Sequence, residues 1–299
     1  MKKIILPTFL GLGIVSGAFA AGSYVENFDS YGTLSYSGGS ASMNNGAILY
    51  GNNTNVVNIH QEGSTWKALR LAQDGTDWTT GTYVIGSVEN PSTRVNSFTA
   101  SFDLYLKKSS GNPADRFSFN FGNLTGSLPR DGEAGLWSTG SMLSLVWDFW
   151  DNTSGSFVDY IGTGSNRGVE LYKNGSLVSG TQVNSPVPIQ SGLSGSFTRI
   201  NLRYDEELSG GTFIFNHGGT VGAGNAISGG TNLITKTGLG VNFAAGDKFA
   251  FSAATGGAQT DIFIDNVSIQ SVPEPSSGAL LALGIGGLIA LRRTRRSRE

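Results

Sequence analysis

The chain has 299 residues, of which 14% are charged, 44 are glycine and none is cysteine. The lack of cysteine excludes disulfides, thiolate metal sites and cysteine nucleophiles. Without its two ends, the body carries 13 basic and 20 acidic residues, a net charge of −7. This charge excludes a general affinity for nucleic acid, because phosphate binding needs clustered Lys and Arg.

Residues 1–20 have the three parts of a secretory signal peptide. A lysine pair gives the positive start, Ile4 to Val15 form the apolar stretch, and Ala18-Phe19-Ala20 is a small-x-small cleavage site. The apolar stretch is short for a helix that stays in the membrane. We therefore predict export with cleavage near Ala20, which leaves residues 22–271 as the folded body.

Period-2 alternation of apolar and polar residues recurs through the body and predicts strands with one buried face. The clearest segments are 98–106, 117–121, 143–149, 200–204 and 262–269. No long segment has the 3.6-residue period of an amphipathic helix. The pattern predicts an all-β fold, a single antiparallel two-sheet jelly-roll sandwich.

Three further features refine this expectation. Asn174-Gly175 predicts a two-residue hairpin, because this dipeptide tolerates the two positive φ angles of a type I′ turn. Residues 22–65, rich in Gly, Ser and Asn, are expected to form edge strands or a loose entry region. The glycine-rich stretch Gly218 to Gly230 is predicted to be a long loop.

Three segments carry a resemblance: Pro113 to Phe119, Trp147 to Gly162, and Thr198 to Asp205. They resemble the concanavalin A-like lectin/glucanase superfamily, and within it the L-type lectins, with Ala-Asp before an aromatic strand and Asp-x-aromatic-x-Asn after another. The resemblance implies that Asp115 accepts hydrogen bonds from sugar hydroxyls and that Asn152 also reaches the sugar. Trp150, beside Asn152, is our candidate for stacking on a pyranose ring.

The same resemblance implies a Ca²⁺ site formed by Asp148, the carbonyl of Trp150, Asn152 and Asp159, since hard oxygen ligands suit Ca²⁺. Aromatic residues replace the Glu and His of the family's transition-metal site, so no transition metal is expected. Arg116 replaces the glycine that usually follows the Asp. The alternative for Asp148 and Asn152 is a polar turn after a strand.

No catalytic motif is present, so an enzyme is not expected. Glycosidases of this superfamily place two Glu on one strand, whereas the adjacent Glu206 and Glu207 face opposite ways. His60 and His217 are far apart in sequence, and no nucleophile elbow accompanies them.

Residues 272–299 have a distinct composition. Pro273-Glu274-Pro275 precedes an uncharged stretch from Ser276 to Leu291, and a cluster of arginines follows. This order resembles the PEP-CTERM sorting signal of Gram-negative bacteria, which implies processing by an exosortase-type peptidase. The stretch is predicted to be a transmembrane helix with the arginines in the cytoplasm.

The combined hypothesis is an exported protein, membrane-anchored or released to the cell surface or extracellular matrix of a Gram-negative bacterium. Its sandwich is expected to bind a glycan or exopolysaccharide. The alternative is a structural matrix or biofilm protein with no sugar site. A divergent glycoside hydrolase is the third hypothesis.

Overall fold

The protein is described by a computed structural model. The described residues are 22–31, 35–44, 47–62, 66–75, 79–86, 95–109, 116–124, 141–149, 168–222, 226–256 and 259–271. The predicted signal peptide and the predicted transmembrane helix lie outside them. The body from Ala21 to Val272 forms one compact unit.

The described residues contain strands, one short 3-10 turn at Leu208–Gly210, and no α-helix. The strands are β1 (Ser23–Glu26), β2 (Ser35–Ser42), β3 (Ile48–Glu62), β4 (Trp66–Ala72), β5 (Thr80–Ile85), β6 (Phe98–Lys107), β7 (Arg116–Gly122), β8 (Ser141–Asp148), β9 (Gly168–Lys173), β10 (Ser176–Leu177), β11 (Val183–Asn184), β12 (Ile189–Gln190), β13 (Thr198–Asp205), β14 (Thr212–His217), β15 (Thr220–Val221), β16 (Ile227–Ser228), β17 (Thr231–Lys236), β18 (Lys248–Ala254) and β19 (Asp261–Ser271).

The strands form two layers, as predicted. The front sheet has the spatial order β9–β8–β7–β18–β5, and the back sheet has the order β17–β14–β13–β6–β19, with β4 and β1 side by side along β19. All the long pairings are antiparallel. The two layers share one hydrogen-bonded ladder, because the long strand β3 pairs first with β5 and then with β4.

The core lies between the layers and is built from the alternating residues that the sequence pattern singled out. Phe102 of the back sheet contacts Phe251 of the front sheet with ring centroids 4.9 Å apart, and Trp147 contacts Phe215 at 5.5 Å. All of these side chains are fully buried. Since successive side chains of a strand point to opposite faces, the polar residues between them fall on the outer faces of the sheets.

The predicted hairpin is confirmed: Asn174 and Gly175 have φ of 49° and 74° between β9 and β10. Residues 22–65 contain β1, β2 and β3, and β1 pairs with β19 at the end of the body. The stretch Gly218 to Gly230 differs from the expected plain loop, because it contains the small β15–β16 hairpin.

The ends of the sandwich follow from strand register. Ser271 pairs with Phe98 and Asp261 with Lys107, so the chain leaves the body at the Phe98 end of β6. Phe98 contacts Phe121 at 4.8 Å, so the Gly122 end of β7 lies over that same end. Arg116, at the other end of β7, therefore lies at the opposite end of the sandwich. We call these the Ser271 end and the Arg116 end.

Candidate functional site

Two predicted segments meet at the Arg116 end of the front sheet. Arg116 begins β7 and is paired in register with Asp148, which ends β8. The guanidinium of Arg116 donates from Nε and Nη2 to Oδ2 of Asp148, at 3.1 and 2.8 Å. Both side chains are 3% exposed. A buried carboxylate is thus neutralised by a charge-assisted contact with two donors.

A second buried carboxylate lies nearby on the same outer face. Glu170 of β9 is diagonal to Asp148, which pairs with Gly168. It accepts hydrogen bonds from the Tyr172 hydroxyl at 2.6 Å and from Nε2 of Gln182 at 3.0 Å. Burial, followed by the contact with Glu170, raises the pKa of Tyr172. The Tyr172 hydroxyl therefore stays protonated and acts as a donor.

This outer face is polar and buried along its length. Ser118, Asn120, Ser144 and Ser252 are at most 2% exposed. Asn120 donates to Ser118 at 2.8 Å. Neither Glu170 nor this layer was predictable from the sequence, because serines and asparagines that alternate with core residues are the ordinary pattern of a solvent-facing strand.

Four predicted site residues, Asp115, Trp150, Asn152 and Asp159, lie outside the described residues. In sequence, Asp115 directly precedes Arg116, and Trp150 follows Asp148 by two residues. Their sugar contacts remain predictions.

The residue predicted to hold Ca²⁺ within the described chain is Asp148, and its surroundings do not fit that role as they stand. Its carboxylate is bound by Arg116, and a guanidinium in that place repels a divalent cation. No group of three or more His, Cys, Asp or Glu able to hold a metal ion occurs in the described parts of the chain. The proposed ligands Trp150, Asn152 and Asp159 stay predictions.

The remaining aromatic and histidine candidates are structural where they are described. Trp147 is fully buried in the core, as predicted. Trp66 packs against Phe197, Phe263 and His60 with ring centroids 5.3 to 5.6 Å apart on the outer face of the back sheet. These contacts make Trp66 part of an aromatic cluster.

The outer face of the back sheet holds a second polar arrangement. Arg199 of β13 pairs with Asp103 of β6, from Nε to Oδ1 at 2.8 Å. Asn266 interrupts β19 in the left-handed conformation, with φ of 47°, and donates from Nδ2 to Asp103 at 2.8 Å. The interruption shifts the register of β19 between Asp265 and Ser268.

Burial raises the pKa of Asp265 to about 7. A hydrogen bond from the Asn266 N–H opposes this shift, whereas the charges of Asp103 and Asp29 reinforce it. Arg199 acts in the opposite direction. Asp265 therefore titrates close to neutral pH, far above the ordinary range of a carboxyl group.

Comparisons with known proteins concern the C-terminal end of the chain and the fold of the body. Residues 271–296 match the PEP-CTERM protein-sorting motif, which marks a bacterial protein for export and surface association. No curated protein matches the chain in sequence. No helix within the described ranges is long and apolar enough to cross a membrane.

Similar solved structures are lectins. Lectin I-B4 of Griffonia simplicifolia, in a metal-free form, is 17% identical with a TM-score of 0.52, covering 83% of this chain and 98% of its own. Lectin II of Ulex europaeus is 12% identical with a TM-score of 0.51, covering 80% and 97%. The Bauhinia forficata lectin in complex with GalNAc is 17% identical with a TM-score of 0.50, covering 85% and 100%.

The fold is therefore that of the legume and L-type lectins, a concanavalin A-like sandwich, and the chain carries a PEP-CTERM sorting motif at its C-terminal end. At these identities the similarity establishes the fold alone.

Proposed function

We propose that this protein is an exported, non-enzymatic glycan-binding protein of a Gram-negative bacterial surface, processed by an exosortase-type peptidase at Pro273-Glu274-Pro275. The sandwich binds carbohydrate at the Arg116 end of the front sheet, through Asp115, Asn152 and Trp150. The membrane is reached through the predicted helix from Ser276 to Leu291. The mature body is anchored there or released into the extracellular matrix.

The observation that carries this proposal is the cross-strand pair Arg116 and Asp148. It brings the start of β7 and the end of β8 together, so the two segments that resemble a lectin site leave the sheet at the same end, the Arg116 end. Carboxylate and amide groups at such an edge suit sugar hydroxyls, which both donate and accept hydrogen bonds.

The position of the two buried carboxylates favours binding over catalysis. Asp148 and Glu170 are both held by donors on the protein, Arg116 for the first and Tyr172 and Gln182 for the second. A retaining or inverting hydrolase needs one carboxyl group that protonates the leaving oxygen and another that attacks or activates water. Carboxylates fixed in this way are suited to stabilising the sheet.

Ca²⁺ enters the proposal as a hypothesis limited to Trp150, Asn152 and Asp159. Asp148 joins that set only if it leaves Arg116. Because the guanidinium already neutralises Asp148, we expect glycan binding to persist when Ca²⁺ is removed with EDTA.

The proposal is tested by glycan-array binding of the full chain in detergent, in CaCl₂ and in EDTA, beside Asp115→Ala. Loss of hydrogen bonds to a charged group should weaken binding about 10- to 100-fold. Asp29→Ala is the matched control, because Asp29 is exposed and lies on another part of the body. No binding by the wild-type chain to any glycan would favour a structural matrix protein instead.

A further inference from the structure

A cleft of about 710 Å³ lies on the outer face of the back sheet, far from the front-sheet edge considered so far. Its floor is formed by side chains of three neighbouring strands. Ser268, Ser101 and Asn201 face one another directly across β19, β6 and β13, and Gln270 and Thr99 form the next row. Its volume lies within the range of roughly 300–1,000 Å³ that is usual for ligand sites.

One wall of the cleft is a flap made of Gly218 to Gly222. It is fixed to the sheet by asparagines in the same row. Asn201 donates from Nδ2 to the Gly219 carbonyl at 2.8 Å, and Asn216 accepts from the Gly219 N–H at 3.0 Å. Asn216 in turn donates to Asn232 at 2.9 Å. The flap is therefore a built feature of the sheet.

Glycine is required where the flap meets the chain that returns to β17. Gly230 has φ of 64°, and a Cβ there would collide with the backbone N of Gly219 and the carbonyl of His217. A Cβ on Gly219 would collide with Asn216 Oδ1. The two backbone segments approach so closely that no larger residue fits.

Asn201 gives an independent indication of a ligand. It lines the cleft and is 1% exposed, and its Oδ1 is buried with no hydrogen-bond partner among the described residues. Its Nδ2 is already used on the flap. A buried acceptor without a donor is costly, and a hydroxyl group of a bound ligand would satisfy it.

The lining defines the chemistry of that donor. Apart from Val221, the side chains are hydroxyls and amides, together with Arg199, whose charge is taken up by Asp103. An anion would need an unpaired cation, a metal ion would need carboxylates, and an apolar ligand would need apolar walls. Groups that both donate and accept are matched by the hydroxyl groups of an uncharged sugar chain.

We propose that this cleft, the back-sheet cleft, binds a segment of neutral polysaccharide. It is a second saccharide site, on the opposite sheet from Asp115 and Asn152, and it does not depend on the proposed function of the front edge. A body with sites on two faces links separate polysaccharide strands. Because none of the described residues that line the cleft is aromatic, the affinity per site is weak and is strengthened by multivalency.

The test is hydrogen–deuterium exchange of the full chain in detergent with neutral hexasaccharides of glucose, mannose and galactose. The experiment uses the Asp115→Ala variant, so that a failure of the cleft proposal is distinguished from a failure of the proposed front site. We expect amide exchange at Gly218, Gly219 and Gly222 to slow about tenfold at a ligand concentration about ten times Kd.

Ser101→Trp places a large side chain on the floor of the cleft and should abolish this protection. Ser268→Trp does the same from the neighbouring strand if the first variant folds poorly. Thr235→Trp is the matched control, because Thr235 is an exposed residue of β17 outside the cleft. The absence of protection with every hexasaccharide, or protection that survives both cleft-filling variants, would overturn the proposal. Stronger protection by an acidic oligosaccharide would overturn its neutral specificity.

Discussion

At the residue scale, Arg116 is the residue that most changes the interpretation of the front edge. It stands where the lectins that this segment resembles have glycine, and it binds the carboxylate that was predicted to be a Ca²⁺ ligand. An internal guanidinium supplies positive charge without a dissociable ion. The ion pair must be buried to stabilise the fold, since a solvent-exposed pair contributes little to stability.

Arg116→Gln should lower the free energy of unfolding by about 3–5 kcal/mol, because it leaves the buried Asp148 carboxylate without its counter-charge. Arg203→Gln is the control. Arg203 pairs with Asp205 at 2.7 Å but is 25% exposed, and its loss should cost less than about 1 kcal/mol. Urea denaturation of the full chain measures both.

Ca²⁺ gives that experiment a second readout. If Asp148 can serve as a ligand once Arg116 is gone, CaCl₂ should raise the Tm of Arg116→Gln and leave that of the wild type unchanged. Equal unfolding free energies for Arg116→Gln and Arg203→Gln would show that the pair does not stabilise the fold.

At the element scale, the interruption of β19 gathers Asp265, Asp103 and Asp29 near Arg199. The folded-state pKa of Asp265, about 7, lies above the unfolded value of about 3.9. Between these values the folded state binds more protons than the unfolded state. The contribution of Asp265 to stability is therefore present at low pH and lost as pH rises through about 4 to 7.

Asp265→Asn should remove this dependence. We expect the free energy of unfolding of the variant, relative to wild type, to increase by about 2–4 kcal/mol between pH 4 and pH 8. Chemical denaturation at several pH values measures it, with the exposed Glu207→Gln as control. A difference that stays constant with pH would mean that Asp265 titrates normally.

The chain that returns from the flap to β17 offers a matched pair of glycines. Gly229 and Gly230 have φ of 68° and 64°, but a Cβ on Gly229 meets open space whereas one on Gly230 collides with backbone. Gly229→Ala should lower the free energy of unfolding only by the cost of the left-handed conformation, about 1–2 kcal/mol. Gly230→Ala should cost clearly more and speed amide exchange in the flap. Equal costs in denaturation would contradict the close approach.

The strands were predictable because every second residue of a strand with one buried face is apolar. Phe102 lies between Ser101 and Asp103, Phe119 lies between Ser118 and Asn120, and the structure places both phenylalanines in the core. The polar pairs were not predictable in the same way. Which strand lies beside β8 depends on the whole topology, so the contact between Arg116 and Asp148 is not visible in the local pattern. The asparagine row that fixes the flap joins three strands for the same reason.

At the scale of the whole molecule, the strand register separates the two ends of the body. The chain leaves β19 at the Ser271 end, and the proposed front site is attached to the Arg116 end. The seven residues of β7 run between these ends, a length of about 23 Å.

This arrangement predicts how tethering affects binding. Because the chain has no cysteine, a single introduced cysteine can be biotinylated without side reactions. Ser23→Cys places the tether at the Ser271 end, since Ser23 pairs with Gln270. Ser109→Cys places it just beyond β6, at the Arg116 end, and both serines are exposed.

The glycan to test on streptavidin surfaces is one whose binding Asp115→Ala abolishes. The chain held at Ser23 should bind this glycan at the Arg116 end. The chain held at Ser109 should bind it at least about tenfold less, because the surface blocks the Arg116 end. For a neutral hexasaccharide at the back-sheet cleft the order should reverse, since Ser23 lies beside Gln270 in the cleft. Surface plasmon resonance measures both. Equal front-edge binding in the two orientations would place the glycan site away from the Arg116 end.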